Sequence, residues 1–125
     1  MISIQVFIGL INCYIVSYMN NSFIWLIFIL SALLEVGGDA LIRKGLRGWG
    51  IGVIAIGFII LGCYGLVVNM VKWDFSKLLG AYVACFAVIS VLFGQIVFKE
   101  AISTSTWAGI VIIIIGGLVI QFGTK

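Results

Sequence analysis

FIWLIFILSALLEVGGDALI, running from Phe23 to Ile42, decides the fold. Its twenty residues carry only two charges, Glu35 and Asp39. That length and composition suit a helix crossing a hydrocarbon core of ~30 Å. Outward from it, the charges cut the chain into three more apolar spans: Trp49 to Val71, Leu78 to Phe98 and Thr106 to Phe122. The connections, Arg43–Gly48, Lys72–Lys77 and Lys99–Ser105, are brief. Loops this short make consecutive helices antiparallel. The expected fold is an all-α membrane protein, a four-transmembrane-helix bundle.

The whole composition agrees. Of 125 residues, 64% are hydrophobic and 9% charged, and the mean hydropathy is +1.36. A soluble domain carries roughly 25% charged residues. Seven basic and four acidic side chains cannot cover a water-facing surface, so lipid must be the main solvent. The net charge of +3 is scattered and gives no nucleic-acid footprint. Histidine is absent, which removes the commonest metal ligand and general base. Cys13, Cys63 and Cys85 lie in apolar runs with no C-x-x-C pair and read as small buried hydrophobes. No metal, no cofactor and no enzymatic activity are expected, because neither a nucleophile–base pair nor a metal cluster is visible. Gly45, Gly48, Gly50 and Gly52 form a glycine-rich run. No strand precedes it and no G-K-[ST] follows, so it is not a phosphate loop.

Trp25, Trp49, Trp73 and Trp107 fall at or near span ends, where amphipathic rings anchor at the headgroup level. Ile2–Ser17 is apolar and uncharged but short for a span, and it lacks the basic leader of a secretory signal. It reads as a short extra helix, crossing or interfacial, or as a segment upstream of a natural start at Met19. In that last case Asn20, Asn21 and Ser22 form a polar lead into the first span. The chain thus divides into an N-terminal apolar segment, residues 1–18, and a four-helix transmembrane domain, residues 19–125.

The chemistry-bearing residues lie on the first span. Glu35 is about 18 Å along it from Phe23, near mid-membrane, where a charged carboxylate costs at least ~2.5 kcal/mol. Such a group is expected to face a cavity or a partner helix. In apolar surroundings a carboxyl holds its proton more readily than in water, so it can exchange that proton for a cation. Otherwise a protonated carboxyl would serve as a hydrogen-bond donor between helices. Asp39 and Arg43 follow at steps of four on the same helix side; Asp39 is a second site carboxylate or the ion-pair partner of Arg43. Gly37 and Gly38 leave room for substrate or close backbone approach. On the third span Tyr82 and Phe86 can hold a cation against their ring faces, whereas Ser90 and Gln95 are expected to make interhelical hydrogen bonds. Gly109, Gly116 and Gly123 recur every seven residues, a face of small residues suited to dimer packing or to packing against the third span.

The run Leu34-Glu35-Val36-Gly37-Gly38-Asp39-Ala40-Leu41-Ile42-Arg43 resembles the first helix of the small multidrug resistance (SMR) family, with a Glu, a Gly three residues later and a basic residue eight after the Glu. The tail from Phe98-Lys99-Glu100 through Trp107-Ala108-Gly109 to Gly116-Gly117 also looks like the drug/metabolite transporter superfamily to which that family belongs, including its lipid-sugar flippase subunits. The resemblance covers about Met19 to Gly123. It implies short four-helix transporters that work as antiparallel dimers, with Glu35 as the shared proton and cation site. Three features depart from the family pattern. Tyr82 and Leu79 stand where the third helix usually has Trp and Tyr; Asp39 replaces a small polar or apolar residue; the second loop lacks its usual proline.

The expected function is therefore proton-coupled antiport (efflux) of small organic cations, such as quaternary ammonium or guanidinium compounds, by a homodimer in the cell (plasma or inner) membrane. Glu35, Asp39, Tyr82, Tyr64 and Phe86 would form the site. A flippase or exporter of a lipid-linked or polar metabolite, and a non-transporting accessory subunit, are the alternatives. Orientation is weakly specified: Arg43, Lys44, Arg47 and Lys99 on one side face Lys72, Lys77 and Lys125 on the other, four against three. Either the protein inserts in both orientations, or the clustering of Arg43, Lys44 and Arg47 fixes one; the near balance of charge makes dual insertion the reading to test. In membranes of intact cells, single cysteines placed in the Lys72–Lys77 loop should then label from both faces; labelling from one face alone would exclude dual topology.

Overall fold

The computed structural model describes residues 2–17 and 21–123; Met19, Asn20 and Lys125 lie outside them. Five helices follow in order: α1 (Ile2–Ser17), α2 (Asn21–Lys44), α3 (Ile51–Val68), α4 (Phe75–Val97) and α5 (Thr104–Phe122). The last four are each long and apolar enough to cross a membrane. Helix α1 has 16 residues, below the ~17–25 that a span needs. Among the described residues it packs against none of the other helices.

Capping chemistry moves the span ends from where the charges alone put them. Helix α2 runs past Ile42 because Arg43 and Lys44 in its last turn complement the negative helix end. Helix α3 stops at Val68, where the Asn69 amide donates to the Gly65 carbonyl at 2.8 Å and satisfies an otherwise orphaned acceptor. Helix α4 begins early, at Phe75, behind Asp74 at its N-cap, a charge that suits the positive helix start. Helix α5 starts at Thr104, because Ser103 Oγ accepts from the Thr106 N–H at 3.2 Å. The glycine-rich run is a helix reversal. Residues Gly45–Trp49 form a wide turn, and Gly48 (φ 115°) and Gly50 (φ 94°) adopt left-handed conformations that cost glycine little.

The helices pack in the order α3–α2–α4–α5, with α2 between two neighbours. Its buried side recurs at helical spacing: Ile24, Ile27, Phe28, Ser31, Ala32 and Val36. Small residues set the separations. A Cβ on Gly57 would lie 2.8 Å from the Gly38 carbonyl oxygen and 3.1 Å from the Ile42 nitrogen. Across α4 and α5, Gly117 meets Ala84, and Gly80 meets Ile120. Without a hydrophobic drive between helices in lipid, such close approach supplies the packing. Many other large apolar side chains, including Ile51, Phe58, Ile112 and Phe122, face outward.

Several expectations need correction. Cys13 and Cys63 are exposed and only Cys85 is half-buried, because they fall on outward helix faces. Trp49 and Trp107 are exposed, and Lys44 Nζ lies 5.1 Å from the Trp49 ring centre. Trp25 and Trp73, however, pack against the core. Ser90 Oγ donates to the Ala87 carbonyl of its own helix at 2.9 Å, and Gln95 is exposed, so neither links two helices. A Cβ on Gly109 or Gly116 would meet nothing within 4 Å among the described residues, and Gly117 makes the contact to α4 instead. Gly123 lies just past α5, its N–H closing the last turn on the Val119 carbonyl at 2.7 Å. The glycine face therefore has two helical members, both without a contact from another helix among the described residues.

The Gly57 contact yields a direct test. Gly57→Leu should force α2 and α3 apart and cost about 1–3 kcal/mol of stability in detergent unfolding. Gly62→Leu, at a position with nothing within 4 Å, should be near neutral. Equal losses from both would contradict this packing.

Candidate functional site

Helix α2 places Ser31, Glu35, Asp39 and Arg43 one above another at steps of four residues. Helix α4 meets this ladder with Tyr82, whose hydroxyl donates to Glu35 Oε2 at 2.6 Å across 47 residues of sequence. A separation this short lies at the tight end of the O–H···O range. Ser31, one turn before Glu35, is fully buried, and its hydroxyl has no partner among the described residues.

Rings surround the pair. Tyr82 is 3% exposed. The Tyr64 ring from α3 stacks on it at 5.9 Å and 21°, and Phe28 meets it edge-on at 5.8 Å. Phe86, one turn along α4, lies at 6.4 Å. Phe28 is flanked in turn by Trp25 at 5.7 Å and Trp73 at 5.5 Å, both edge-on. Edge-to-face pairs are the favourable geometry for aromatic quadrupoles. The structure thus gathers Glu35, Tyr82, Tyr64 and Phe86 where α2, α3 and α4 meet.

Asp39 belongs to a neighbouring space. It is exposed and lines a cavity of about 170 Å³ with Arg43, Phe86, Phe98 and Glu100. Arg43 does not pair with Asp39. Its Nη2 donates to Glu100 Oε1 at 3.3 Å, and its guanidinium lies 4.9 Å from the Phe98 ring centre. Local backbone explains the choice. Lys99 takes a left-handed conformation (φ 56°) after α4, and the Glu100 N–H returns to the Gly94 carbonyl at 3.0 Å. Gly94 leaves space for the carboxylate, since a Cβ there would lie 2.8 Å from Glu100 Oε2. The two side chains are 48% and 44% exposed, so the pair is worth only about 0–1 kcal/mol.

Sequence reasoning missed Phe28, Trp25, Trp73, Phe98 and Glu100. Phe28 was detectable, lying seven residues before Glu35 and hence on its side of the helix. Glu100 carried a weaker signal, as an acid in the link that shares a membrane side with Arg43.

What this arrangement can do follows from its parts. A carboxyl held by a phenol that is itself packed among rings can hold either a proton or a cation.

Over residues 22–125 the chain matches the family described as "Uncharacterised BCR, YnfA/UPF0060 family". It is 36% identical over 104 residues to a UPF0060 membrane protein of Rhodococcus erythropolis, covering 78% of this chain and 92% of that one. A UPF0060 membrane protein of Desulfitobacterium hafniense is 35% identical over 104 residues, covering 80% and 94%. The UPF0060 membrane protein YfjF of Bacillus subtilis is 32% identical over 106 residues, also covering 80% and 94%. No solved structure matches the chain. The family that matches is thus YnfA/UPF0060 rather than one named SMR, and the multi-pass membrane architecture agrees with the relatives' description as membrane proteins. The chain belongs to the YnfA/UPF0060 family of membrane proteins.

Proposed function

We propose that the protein is a proton-coupled antiporter that exports small organic cations across the cell membrane, not an enzyme. The observation that supports this reading is the Glu35 carboxyl, deep in α2, bound by the Tyr82 hydroxyl at 2.6 Å inside an aromatic enclosure. When Glu35 is ionised, Tyr82 stabilises the charge and the rings offer their negative faces to a cation. When Glu35 takes up a proton, that attraction is lost and the cation leaves. A site open to one membrane face at a time ties outward cation movement to inward proton movement, since the two compete for one carboxyl.

In this reading two copies associate through the faces carrying Gly109 and Gly116, where an added Cβ would meet nothing within 4 Å among the described residues. They bring two Glu35 side chains to one cavity. The near balance of basic residues on the two sides supports an antiparallel homodimer. A second reading, export or flipping of a lipid-linked or polar metabolite, draws on the exposed carboxylate of Asp39 beside the Arg43–Glu100 pair.

Adding a quaternary ammonium compound to weakly buffered, purified protein should release protons, and Glu35→Gln should abolish that release. Tyr82→Phe keeps the ring but removes the hydroxyl. It should weaken apparent cation affinity by about tenfold, the worth of one hydrogen bond to a charged group. Undiminished proton release from folded Glu35→Gln protein would rule the mechanism out.

A further inference from the structure

We propose that the cavity beyond Asp39 is a second, outer cation subsite, and that Arg43 occupies it with the chain's own guanidinium. The proposal rests on the transport reading above and extends it to a place where a cation halts before reaching Glu35.

The Arg43 head group has the two contacts a free planar cation would seek: a carboxylate oxygen of Glu100 at 3.3 Å and the face of Phe98 at 4.9 Å. Both are contacts of the kind that select guanidinium groups, which stack on rings and pair with carboxylates through a flat set of donors. The site is therefore built for a cation, and a tethered one is in it. The remaining volume, about 170 Å³, exceeds the ~150 Å³ cavity known to take a benzene molecule. Asp39 also lines it and has no ion pair or hydrogen bond among the described residues.

Arg43, Asp39 and Glu35 follow each other at ~6 Å intervals along α2. Phe86 borders the outer cavity and also packs against Tyr82 of the inner site. An incoming planar cation that displaces Arg43 from Glu100 and Phe98 meets Asp39 one turn deeper, and Glu35 one turn beyond that. The half-exposed Arg43–Glu100 pair is weak enough to open for it. Arg43 then acts as a tethered competitor that keeps the mouth closed when no cation is present.

The test measures equilibrium binding of phenylguanidinium, with tetramethylammonium as a cation that neither stacks flat nor donates hydrogen bonds. It uses full-length purified protein carrying Glu35→Gln, so that only the outer subsite is read. Adding Arg43→Ala should tighten phenylguanidinium binding about fivefold, by removing the competitor, and should tighten tetramethylammonium less, since that ion gains the ring face but no hydrogen bond to Glu100. Adding Glu100→Gln should abolish the gain. Thermal unfolding run in parallel separates binding from fold. If Arg43→Ala only lowers stability and binding does not change, Arg43 is a staple between α2 and the α4–α5 link, and the subsite is refuted while the Glu35 mechanism stands. If the protein with Glu35 intact also binds neither cation, both readings fall.

Discussion

A carboxyl group halfway along an apolar helix loses the water that would solvate it, and in hydrocarbon that loss amounts to at least about 2.5 kcal/mol. The surroundings of Glu35 answer that penalty. Tyr82 supplies a hydrogen bond from α4, and it is itself fixed between Phe28 of α2 and Tyr64 of α3. One polar contact therefore specifies how three helices meet. Moving any of them by a few ångströms would break a 2.6 Å bond and leave two polar groups unpaired in an apolar layer, which is expensive where the effective dielectric is low.

Glycines make that meeting reachable. Gly38 and Gly57 let α2 and α3 approach until backbone touches backbone, and this brings Tyr64 within stacking distance of Tyr82. The same helix carries both features: Gly38 lies three residues beyond Glu35, so the close-packed edge and the acid edge are separated by about one turn. Gly94 works likewise at the end of α4, where its missing side chain gives Glu100 the room to reach Arg43. Fold and chemistry thus draw on the same few small residues.

The four spans were legible because charge and hydropathy act along the chain, and lipid enforces them segment by segment. Their ends shifted by two or three residues because Asn69, Asp74 and Ser103 decide them locally. Contacts across the chain were not legible. Arg43 has an acid four residues before it, yet pairs with one 57 residues later, because the left-handed Lys99 turns Glu100 back toward it. Trp25 and Trp73 illustrate another limit: a ring at a span end suits the headgroup region and a packed core equally well, and only their neighbour Phe28 decides. The prominence of Glu35 could be read from its depth alone. Its pairing with Tyr82 needed the arrangement of helices.

Charge movement across a membrane tests the central claim most directly. Protein reconstituted in liposomes on a solid-supported membrane should give a transient current when a small organic cation is added. The current should change size with the imposed pH gradient and disappear in Glu35→Gln. An equal current from that variant, or none from folded, dimeric wild-type protein across a panel of guanidinium and quaternary ammonium compounds, would contradict proton–cation exchange at Glu35.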